Sequence, residues 1–206
     1  MGGHLKKTIH ATERNEVLRQ TWREQMQNGL SDEYVFVDES STHLGFTPTR
    51  ARAPRGVRAV ARMPRNRGKN ITLIAALTST SFTADFTFEG GLNVLALEVY
   101  VNQVLIPELP ASRTIIWDQL SSHLNAGIVG LLEAAGHRVL SLPGYSPDLN
   151  PIEEAFSKVK AFLRSWGART RVALDEGIAC VRESISEGDV LGWFSDCGYR
   201  LARQPL

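Results

Sequence analysis

The 206-residue sequence is poor in cysteine and in long apolar runs. Its two cysteines, Cys180 and Cys197, are too few and too late in the chain for a disulfide framework or a zinc site, so we expect reduced thiols. The longest mainly apolar stretch, near Ile71–Leu77, has about seven residues, whereas a membrane-spanning helix needs about 20. The first ten residues hold no apolar block of signal-peptide length. These absences argue against a membrane-spanning or exported protein, and we expect a cytoplasmic location.

Net charge is also small, at +1, but the basic residues are unevenly distributed. Eight of the 23 lie in one segment without acidic residues, namely Arg50, Arg52, Arg55, Arg58, Arg62, Arg65, Arg67 and Lys69. The rest of the chain therefore carries 15 basic against 22 acidic residues. Prolines and glycines interrupt the segment, which is typical of a loop or hairpin that contacts nucleic-acid phosphates. An ordinary solvated basic loop is the alternative.

The composition is that of a folded globular domain, with 43% hydrophobic and 22% charged residues. Apolar alternation predicts strands over residues 34–37, 57–63, 71–77, 82–88, 114–117 and 137–142. Helical spacing predicts helices over 12–28, 93–109, from Ser121 or Ser122 to Ala135, 152–167 and 171–186. Strands come first, followed by strand–helix–strand–helix. This order predicts an α/β fold in which an antiparallel meander continues into parallel strands, with helices on the faces of the mixed sheet.

Three carboxylates flank the ends of these predicted elements. Asp38 follows the first strand, Asp118 follows the strand over 114–117, and Glu153 lies in the first turn of the next helix. Because ligands bind outside the carboxyl ends of strands in open α/β sheets, the two aspartates can point into one crevice. Carboxylate oxygens are the ligands that Mg²⁺ and Mn²⁺ require, and a pair of such ions supports phosphodiester cleavage. Three carboxylates suffice to hold such a pair.

Each carboxylate also has a purely structural interpretation. Asp38 can form a turn at a strand end, and Asp118 can begin an Asx-type turn. Glu153 fits a capping box in which Asn150 is the N-cap and Pro151 is the first helical residue. Periodicity alone leaves the catalytic and the structural interpretations open.

Three motifs surround these carboxylates: FVDES at 36–40, IIWDQ at 115–119 and LPGYSPDLNPIE at 142–153. With 34 residues between Asp118 and Glu153, the sequence resembles the catalytic domain of mariner-superfamily DDE transposases, in their bacterial insertion-sequence branch. The likeness runs from about Lys6 to about Trp166. It implies a ribonuclease-H-like fold in which Asp38, Asp118 and Glu153 form the catalytic, metal-binding triad.

The resemblance also implies the chemistry and the partners. Two Mg²⁺ ions, for which Mn²⁺ can substitute, are the implied cofactors. The implied reaction is hydrolysis of the phosphodiester at transposon ends, followed by attack of the freed 3′-hydroxyl on target DNA, which is DNA transposition and integration. DNA is thus the implied partner. The enzyme is expected to act as a homodimer on DNA, in the nucleoid of the cytoplasm.

The sequence departs from the family pattern at Gln119, where Asn is usual, and at Gly144, where a second Pro is usual. Only about 30 residues precede the first strand. The helix-turn-helix region that recognises terminal repeats is therefore expected on a separately encoded or frameshift-fused segment. We divide the chain into a leading linker and helix (1–30), the ribonuclease-H-like catalytic domain (31–170) and a C-terminal helical extension (171–206).

Other basic side chains extend the expected DNA-binding surface. His123, near a helix start, either contacts phosphate or caps the helix, and Lys160 lies on the outer side of the last motif's helix with Lys158 and Arg164. Lys158 can equally form an i,i+4 pair with Glu154. Two alternatives to an active transposase remain. One is an inactive remnant that binds nucleic acid without cutting, and the other is a ribonuclease-H-like nuclease with a different nucleic-acid substrate.

Overall fold

A five-stranded mixed sheet forms the centre of the molecule. The computed structural model describes residues 12–27, 31–60, 68–118 and 125–202. The strands, in the spatial order β3-β2-β1-β4-β5, are β1 (Tyr34–Thr42), β2 (Ile71–Leu77), β3 (Phe82–Glu89), β4 (Thr114–Trp117) and β5 (Arg138–Ser141). β1, β2 and β3 pair antiparallel, and β4 and β5 run parallel to β1. The predicted α/β sheet, a meander continued by parallel strands, is confirmed.

Helices cover both faces of this sheet. They are α1 (Glu16–Gln27), α2 (Val94–Tyr100), α3 (Ile106–Glu108), α4 (Ala126–Ala134), α5 (Ile152–Trp166), α6 (Arg171–Ser184) and α7 (Glu187–Asp196). A π-helical turn, Val101–Leu105, joins α2 to α3, so the helix predicted over 93–109 is present with this irregularity inside it. Within the described ranges, none of the helices is long and apolar enough to cross a membrane.

The alternation of side chains along the central strands builds one apolar core on each face of the sheet. Phe36 of β1 and Ile116 of β4 belong to the core that α1, α5, α6 and α7 cover. Val37 and Trp117 belong to the opposite core, which α2, the π-helical turn and α4 cover. Because both faces are covered, every residue of β2 is buried, which explains why all its residues except Thr72 are apolar.

β1 is longer than predicted and carries Asp38 in its interior. Its parallel pairing with β4 covers residues 34–36, whereas its antiparallel pairing with β2 continues to Thr42. Polar residues after Val37 indicated a strand end, but backbone hydrogen bonds to β2 carry the strand through them. The prediction that Asp38 follows the strand is therefore wrong. Asp38 lies beside β2, beyond the residues that pair with β4.

The strand predicted over 57–63 is wrong for its described part, because residues 57–60 form no strand. Val57 and Val60 are 61% and 84% exposed, so burial of these side chains does not offset the entropy cost of ordering them in a sheet. All residues from 48 to 60 are exposed and belong to a long excursion between β1 and β2. Residues 61–63 of the predicted strand lie outside the described residues.

The N-terminus of α4 also differs from the prediction. Asn125 caps this helix, its Oδ1 accepting a hydrogen bond from the N–H of Gly127 at 2.9 Å, so α4 starts later than predicted, and Ser121 and Ser122 lie outside the described residues. Asparagine and serine cap helices equally well, and the pattern of apolar residues does not choose between them. The end of α5 was predicted correctly, because Gly167 takes the left-handed conformation, with φ of 67°, that ends a helix.

Two helices, rather than one, follow α5. α6 corresponds to the predicted last helix, while α7 was not predicted. A capping box starts α7: Ser186 Oγ accepts from the N–H of Asp189 at 3.1 Å, and the Asp189 carboxylate accepts from the N–H of Ser186 at 2.8 Å. Val190 and Phe194 of α7 are buried in the same core as Phe36. The C-terminal helices therefore share a core with the central sheet.

Candidate active site

Three carboxylates from three different elements line one cavity. Asp38 comes from the interior of β1, Asp118 directly follows β4, and Glu153 lies in the first turn of α5. The parallel pairing of β1 with β4 brings the two aspartates to the same end of the sheet. The cavity has a volume of about 480 Å³, and residues 142–147 together with Asn150 complete its lining. The three carboxylates that the sequence singled out are thus neighbours in space.

Asp38 is the most buried of the three, with 8% exposure, whereas Asp118 is half-buried and Glu153 is exposed. Burial raises the pKa of Asp38 to about 7, and nearby negative charges act in the same direction. These charges belong to Glu39, Glu153 and Asp118. The N–H of Glu39 donates to Asp38 Oδ1 at 2.7 Å and opposes the increase. A raised pKa among like charges marks a site where a cation would be stabilised.

Asn150 is a member of this site that the sequence analysis missed. Its Nδ2 donates to Asp38 Oδ2 at 2.8 Å, and the residue is 4% exposed. The predicted capping box with Asn150 as N-cap is therefore wrong. Pro151 occupies the N-cap position, and no side chain in the described part of the chain caps α5. The signal for Asn150 in the sequence was its place in the third motif, three residues before Glu153.

The donor chemistry of the site fits a hard divalent cation. The three carboxylates offer oxygen ligands, and burial together with the neighbouring carboxylates raises the pKa of Asp38, so a bound cation would stabilise its charged form. Asn150 Oδ1 adds a buried oxygen with no hydrogen-bond partner among the described residues. Across residues 12–27, 31–60, 68–118 and 125–202, no three His, Cys, Asp or Glu side chains form a preassembled group that could hold one ion. The site has suitable oxygen ligands, but the described residues do not form a preassembled coordination site.

The loop between β5 and α5 forms the rim of the cavity. Tyr145 lies there with φ of 55°, a left-handed conformation that strains a non-glycine residue, and it is 60% exposed. Ser146 Oγ donates to the carbonyl of Gly144 at 3.2 Å. The left-handed Tyr145 and the hydrogen bond of Ser146 shape this loop as a tight turn.

The 3₁₀ turn Pro147–Leu149, just before Asn150, is held by α1. Both terminal nitrogens of Arg19 donate to the Asp148 carboxylate, Nη1 to Oδ1 at 3.0 Å and Nη2 to Oδ2 at 2.5 Å. Arg19 is fully buried, whereas the Asp148 side chain is half exposed. Burial acts to raise the pKa of Asp148, but the hydrogen bond and charge of Arg19, with the charge of Arg14, outweigh it and lower the pKa.

The predicted DNA-binding residues fall into three groups. Exposed on the excursion between β1 and β2 are Arg50, Arg52, Arg55 and Arg58. Outside the described residues are Arg62, Arg65, Arg67 and His123. The remaining two are described but differ in environment: exposed Lys69 pairs with Glu89 at 2.6 Å, and Lys160 is half-buried on α5.

Two further basic residues of α5 are engaged within the protein. Lys158 Nζ lies 2.7 Å from Asp189 Oδ2, and this contact takes the place of the predicted pair with Glu154. The guanidinium of Arg164 lies 5.5 Å from the centre of the Phe46 ring, a cation–π contact. The contact of Lys158 ties α5 to the start of α7, and that of Arg164 ties α5 to the chain that follows β1.

One family model matches most of the chain. Residues 33–174 match the family model described as DDE superfamily endonuclease. The chain belongs to this family. The matched range contains all three cavity-lining carboxylates, and the DDE membership predicted from the motifs is confirmed. A comparison with curated protein sequences finds no significant match.

Solved structures of Mos1 transposase share the fold of this DDE endonuclease chain. The Mos1 transposase paired-end complex with left transposon end has a TM-score of 0.72 and 16% identity, over 97% of this chain and 66% of that chain. The Mos1 mariner paired end complex with Mn has a TM-score of 0.74 and 16% identity, over 96% of this chain and 62% of that chain. The structure of the Mos1 transposase catalytic domain and Raltegravir with Mg has a TM-score of 0.65 and 14% identity, over 87% of this chain and 88% of that chain. The predicted ribonuclease-H-like fold is confirmed.

This DDE endonuclease chain spans slightly less than two thirds of the Mos1 transposase chains in the two paired-end complexes, but most of the isolated Mos1 catalytic domain. The shared fold therefore corresponds in extent to a catalytic domain. Assignment to the bacterial insertion-sequence branch stays a prediction.

Proposed function

We propose that this chain is the catalytic domain of a DDE transposase, which cleaves DNA at transposon ends and transfers the freed strand to target DNA. The observation that carries the proposal is the shared cavity of Asp38, Asp118 and Glu153 within the range that matches the DDE endonuclease family. The fold shared with Mos1 transposase complexes that contain a transposon end supports DNA as the substrate.

Two divalent ions, Mg²⁺ with Mn²⁺ as a substitute, are the proposed cofactors, and Asp38, Asp118 and Glu153 would hold them. Mos1 structures with Mg and with Mn support this choice. When bound, such a pair supplies Lewis-acid stabilisation of the attacking and leaving oxygens in phosphodiester displacement. Because no preassembled ligand group is present in the described part of the chain, we expect the carboxylates to adjust on binding.

The residues of this chain do the positioning. Asp38 is held by two donors, the N–H of Glu39 and Nδ2 of Asn150, so its carboxylate has a fixed orientation at the base of the cavity. Glu153 stands in the first turn of the 15-residue helix α5, whose positive N-terminal end favours phosphate oxygens. The side of the cavity that carries exposed Tyr145 is open to a DNA strand.

The basic segment supplies the proposed DNA-backbone contacts. Its described arginines are exposed, on an excursion that leaves the sheet between β1 and β2. Such contacts bind phosphates without reading sequence and weaken as salt increases. Recognition of specific transposon ends is proposed to need a separately encoded or fused helix-turn-helix region, and the active assembly is proposed to be a homodimer on DNA in the nucleoid. The paired-end Mos1 complexes support an assembly on transposon ends.

Nicking of supercoiled plasmid in the presence of Mn²⁺ tests the function without requiring a specific transposon end. We expect the wild-type chain to nick DNA, and we expect Asp118→Asn and Glu153→Gln to abolish nicking, because each removes a metal-ligand charge. Glu176→Gln changes an exposed carboxylate of α6 and is the matched control with full activity.

The same assay decides between the proposal and its rivals. Nicking that survives in Asp118→Asn would contradict the proposed metal site. A folded wild-type chain that binds DNA without nicking it would favour the inactive remnant. Preferential cleavage of an RNA–DNA hybrid over duplex DNA would favour the ribonuclease-H-like nuclease.

A further inference from the structure

The turn that precedes Glu153 is held from two sides. On one side, Asn150 Nδ2 donates to Asp38 Oδ2 at 2.8 Å, so the turn is joined to β1 across 112 positions of sequence. On the other side, Arg19 of α1 donates two hydrogen bonds, of 3.0 and 2.5 Å, to the carboxylate of Asp148, which lies 129 positions later in the sequence. The turn thus lies between the candidate active site and a helix that precedes the sheet.

Leu149, between these two residues, is fixed as well. Its carbonyl accepts from Tyr199 Oη at 2.7 Å, and Tyr199 Oη in turn accepts from Trp22 Nε1 at 3.0 Å. Three consecutive residues therefore make three separate contacts: Asp148 with α1, Leu149 with the chain after α7, and Asn150, which follows the turn, with Asp38. With neighbours fixed in this way, the Asn150 amide has little freedom to leave Asp38.

This arrangement leaves the start of α5 less stable than it could be. An asparagine just before a helix can cap it with its side-chain oxygen, which stabilises the helix. Here the amide faces Asp38 instead, and no described side chain caps α5. Asn150 Oδ1 is buried without a hydrogen-bond partner among the described residues, which is also unfavourable. A side chain placed against its local preference, beside a buried carboxylate, points to a role in the site rather than in the helix.

We propose that Asn150 is a positioning residue that orients Asp38, and that Arg19 of α1 sets the position of Asn150 through Asp148. The inference rests on the proposed function, in which Asp38 is a metal ligand. Hydrogen-bond partners of metal ligands fix ligand orientation, and their removal typically weakens metal affinity or activity about 10–100-fold. α1 consequently contributes to a catalytic site that it does not touch.

Calorimetric titration of the full chain with Mn²⁺ tests the first link. Asn150→Leu keeps the branched shape of the side chain but removes the donor, and we expect the Kd for Mn²⁺ to increase about 10–100-fold. Asn150→Ala removes the same donor without a branched side chain and replaces the leucine variant if that variant does not fold. Thermal unfolding followed by circular dichroism verifies the fold of each variant.

The second link is tested by comparing Arg19→Met with Arg23→Met. Both arginines lie on α1 and face Asp148, but Arg23 Nη2 is 3.6 Å from it and its side chain is 39% exposed. We expect Arg19→Met to weaken Mn²⁺ binding several-fold and Arg23→Met to leave it unchanged. Raising the Mn²⁺ concentration should restore plasmid nicking in Asn150→Leu and Arg19→Met, which a general folding defect would not allow.

Each outcome decides a different statement. Absence of Mn²⁺ binding to the folded wild-type chain would overturn the proposed function and this inference with it. Binding to wild type with an unchanged Kd in folded Asn150→Leu or Asn150→Ala would overturn the role of Asn150 alone. Equal losses in Arg19→Met and Arg23→Met would overturn the link from α1.

Discussion

At the scale of single residues, the fold buries the Asp38 carboxylate in a position where a bound cation would stabilise its charge. It is buried in the interior of β1, yet its two carboxylate oxygens each accept a hydrogen bond, from Glu39 and Asn150. These two donors do not balance the burial and the surrounding carboxylates, and the pKa of Asp38 increases to about 7. The metal-free protein therefore holds this side chain in an unfavourable state that a bound cation would relieve.

This burial predicts a pH dependence of the stability of the metal-free protein. The pKa of Asp38 is about 7 in the folded chain and 3.8 as its ordinary value, so folding favours the protonated form. The contribution is fully present below pH 4 and is lost as pH rises through 7. Asp38→Asn should remove this dependence and increase the free energy of unfolding at pH 8 by an amount on the order of 2–4 kcal/mol.

Urea unfolding at pH 5 and pH 8, with a chelator present, measures the effect. Glu176→Gln, at an exposed position of α6, is the control that should follow the wild-type pH dependence. An Asp38→Asn variant with the same pH dependence as wild type would contradict the prediction.

Arg19 and Asp148 predict an asymmetric response to substitution. Arg19 is fully buried, whereas the side chain of Asp148 is 49% exposed. Asp148→Asn leaves a buried guanidinium without its bidentate partner, and we expect a loss of about 3–5 kcal/mol in the free energy of unfolding. Arg19→Met leaves Asp148 in contact with water, so the loss should be smaller. Equilibrium urea unfolding of both variants at pH 7 measures the two losses, and a larger loss in Arg19→Met would contradict this explanation.

At the scale of elements, the contact between α5 and α6 depends on the absence of a side chain. A Cβ added to Gly177 of α6 would lie 2.8 Å from Trp166 Cδ1 and 3.1 Å from Leu163 Cδ2 of α5. The Trp166 ring is also held, because its Nε1 donates to the carbonyl of Ala173 at 2.8 Å. The glycine thus permits the close approach that seals this side of the core.

Two glycine-to-alanine substitutions separate packing from helix propensity. Gly177→Ala should destabilise the protein by about 1–3 kcal/mol, because the added methyl group overpacks the contact between α5 and α6. Gly192→Ala, in α7, meets no described atom within 4 Å and should stabilise the protein by about 0.5–1 kcal/mol through helix propensity. Thermal unfolding of the two variants measures both changes. A stabilised Gly177→Ala variant would show that α5 and α6 can separate without cost.

At the scale of the whole molecule, the sheet brings the site together and the basic segment extends away from it. Parallel pairing of β1 with β4 places Asp38 and Asp118 at one end of the sheet, and the β5–α5 loop closes the cavity around them. The exposed arginines lie on the connection between β1, the strand that carries Asp38, and β2, which pairs with β1 in the sheet. The candidate ligand Asp38 and the proposed DNA contacts thus lie in adjacent parts of the chain.

This arrangement predicts the salt dependence of DNA binding. Each arginine that contacts a phosphate contributes about 0.9 to the slope of log affinity against log salt on duplex DNA. Arg58→Gln should decrease the slope by about that amount, and substitution of Arg50, Arg52 and Arg55 in addition should decrease it further. Arg138→Gln, at the start of β5 and at the other end of the sheet, is the matched control. Fluorescence anisotropy with labelled duplex at several salt concentrations measures the slopes, and equal slopes for Arg58→Gln and wild type would contradict the contact.

Local patterns in the sequence determined much of this protein. Apolar periodicity predicted β2, β4 and α5 correctly, because a buried strand or an amphipathic helix shows its period within one segment. The three motifs indicated the DDE family, which the family match confirms. They also indicated Asp38, Asp118 and Glu153 as the candidate triad; these residues line one cavity, and their catalytic role stays a prediction.

Tertiary structure alone decided the features that depend on distant partners. The extension of β1 to Thr42 comes from hydrogen bonds to β2, and Asn150 leaves its expected capping position because Asp38, 112 positions away, accepts its amide. Arg19 is one of several charged residues in α1, and only its contact with Asp148, 129 positions away, shows that it is buried. The free energy of such contacts depends on which surfaces the folded chain brings together, and no window of neighbouring residues contains that information.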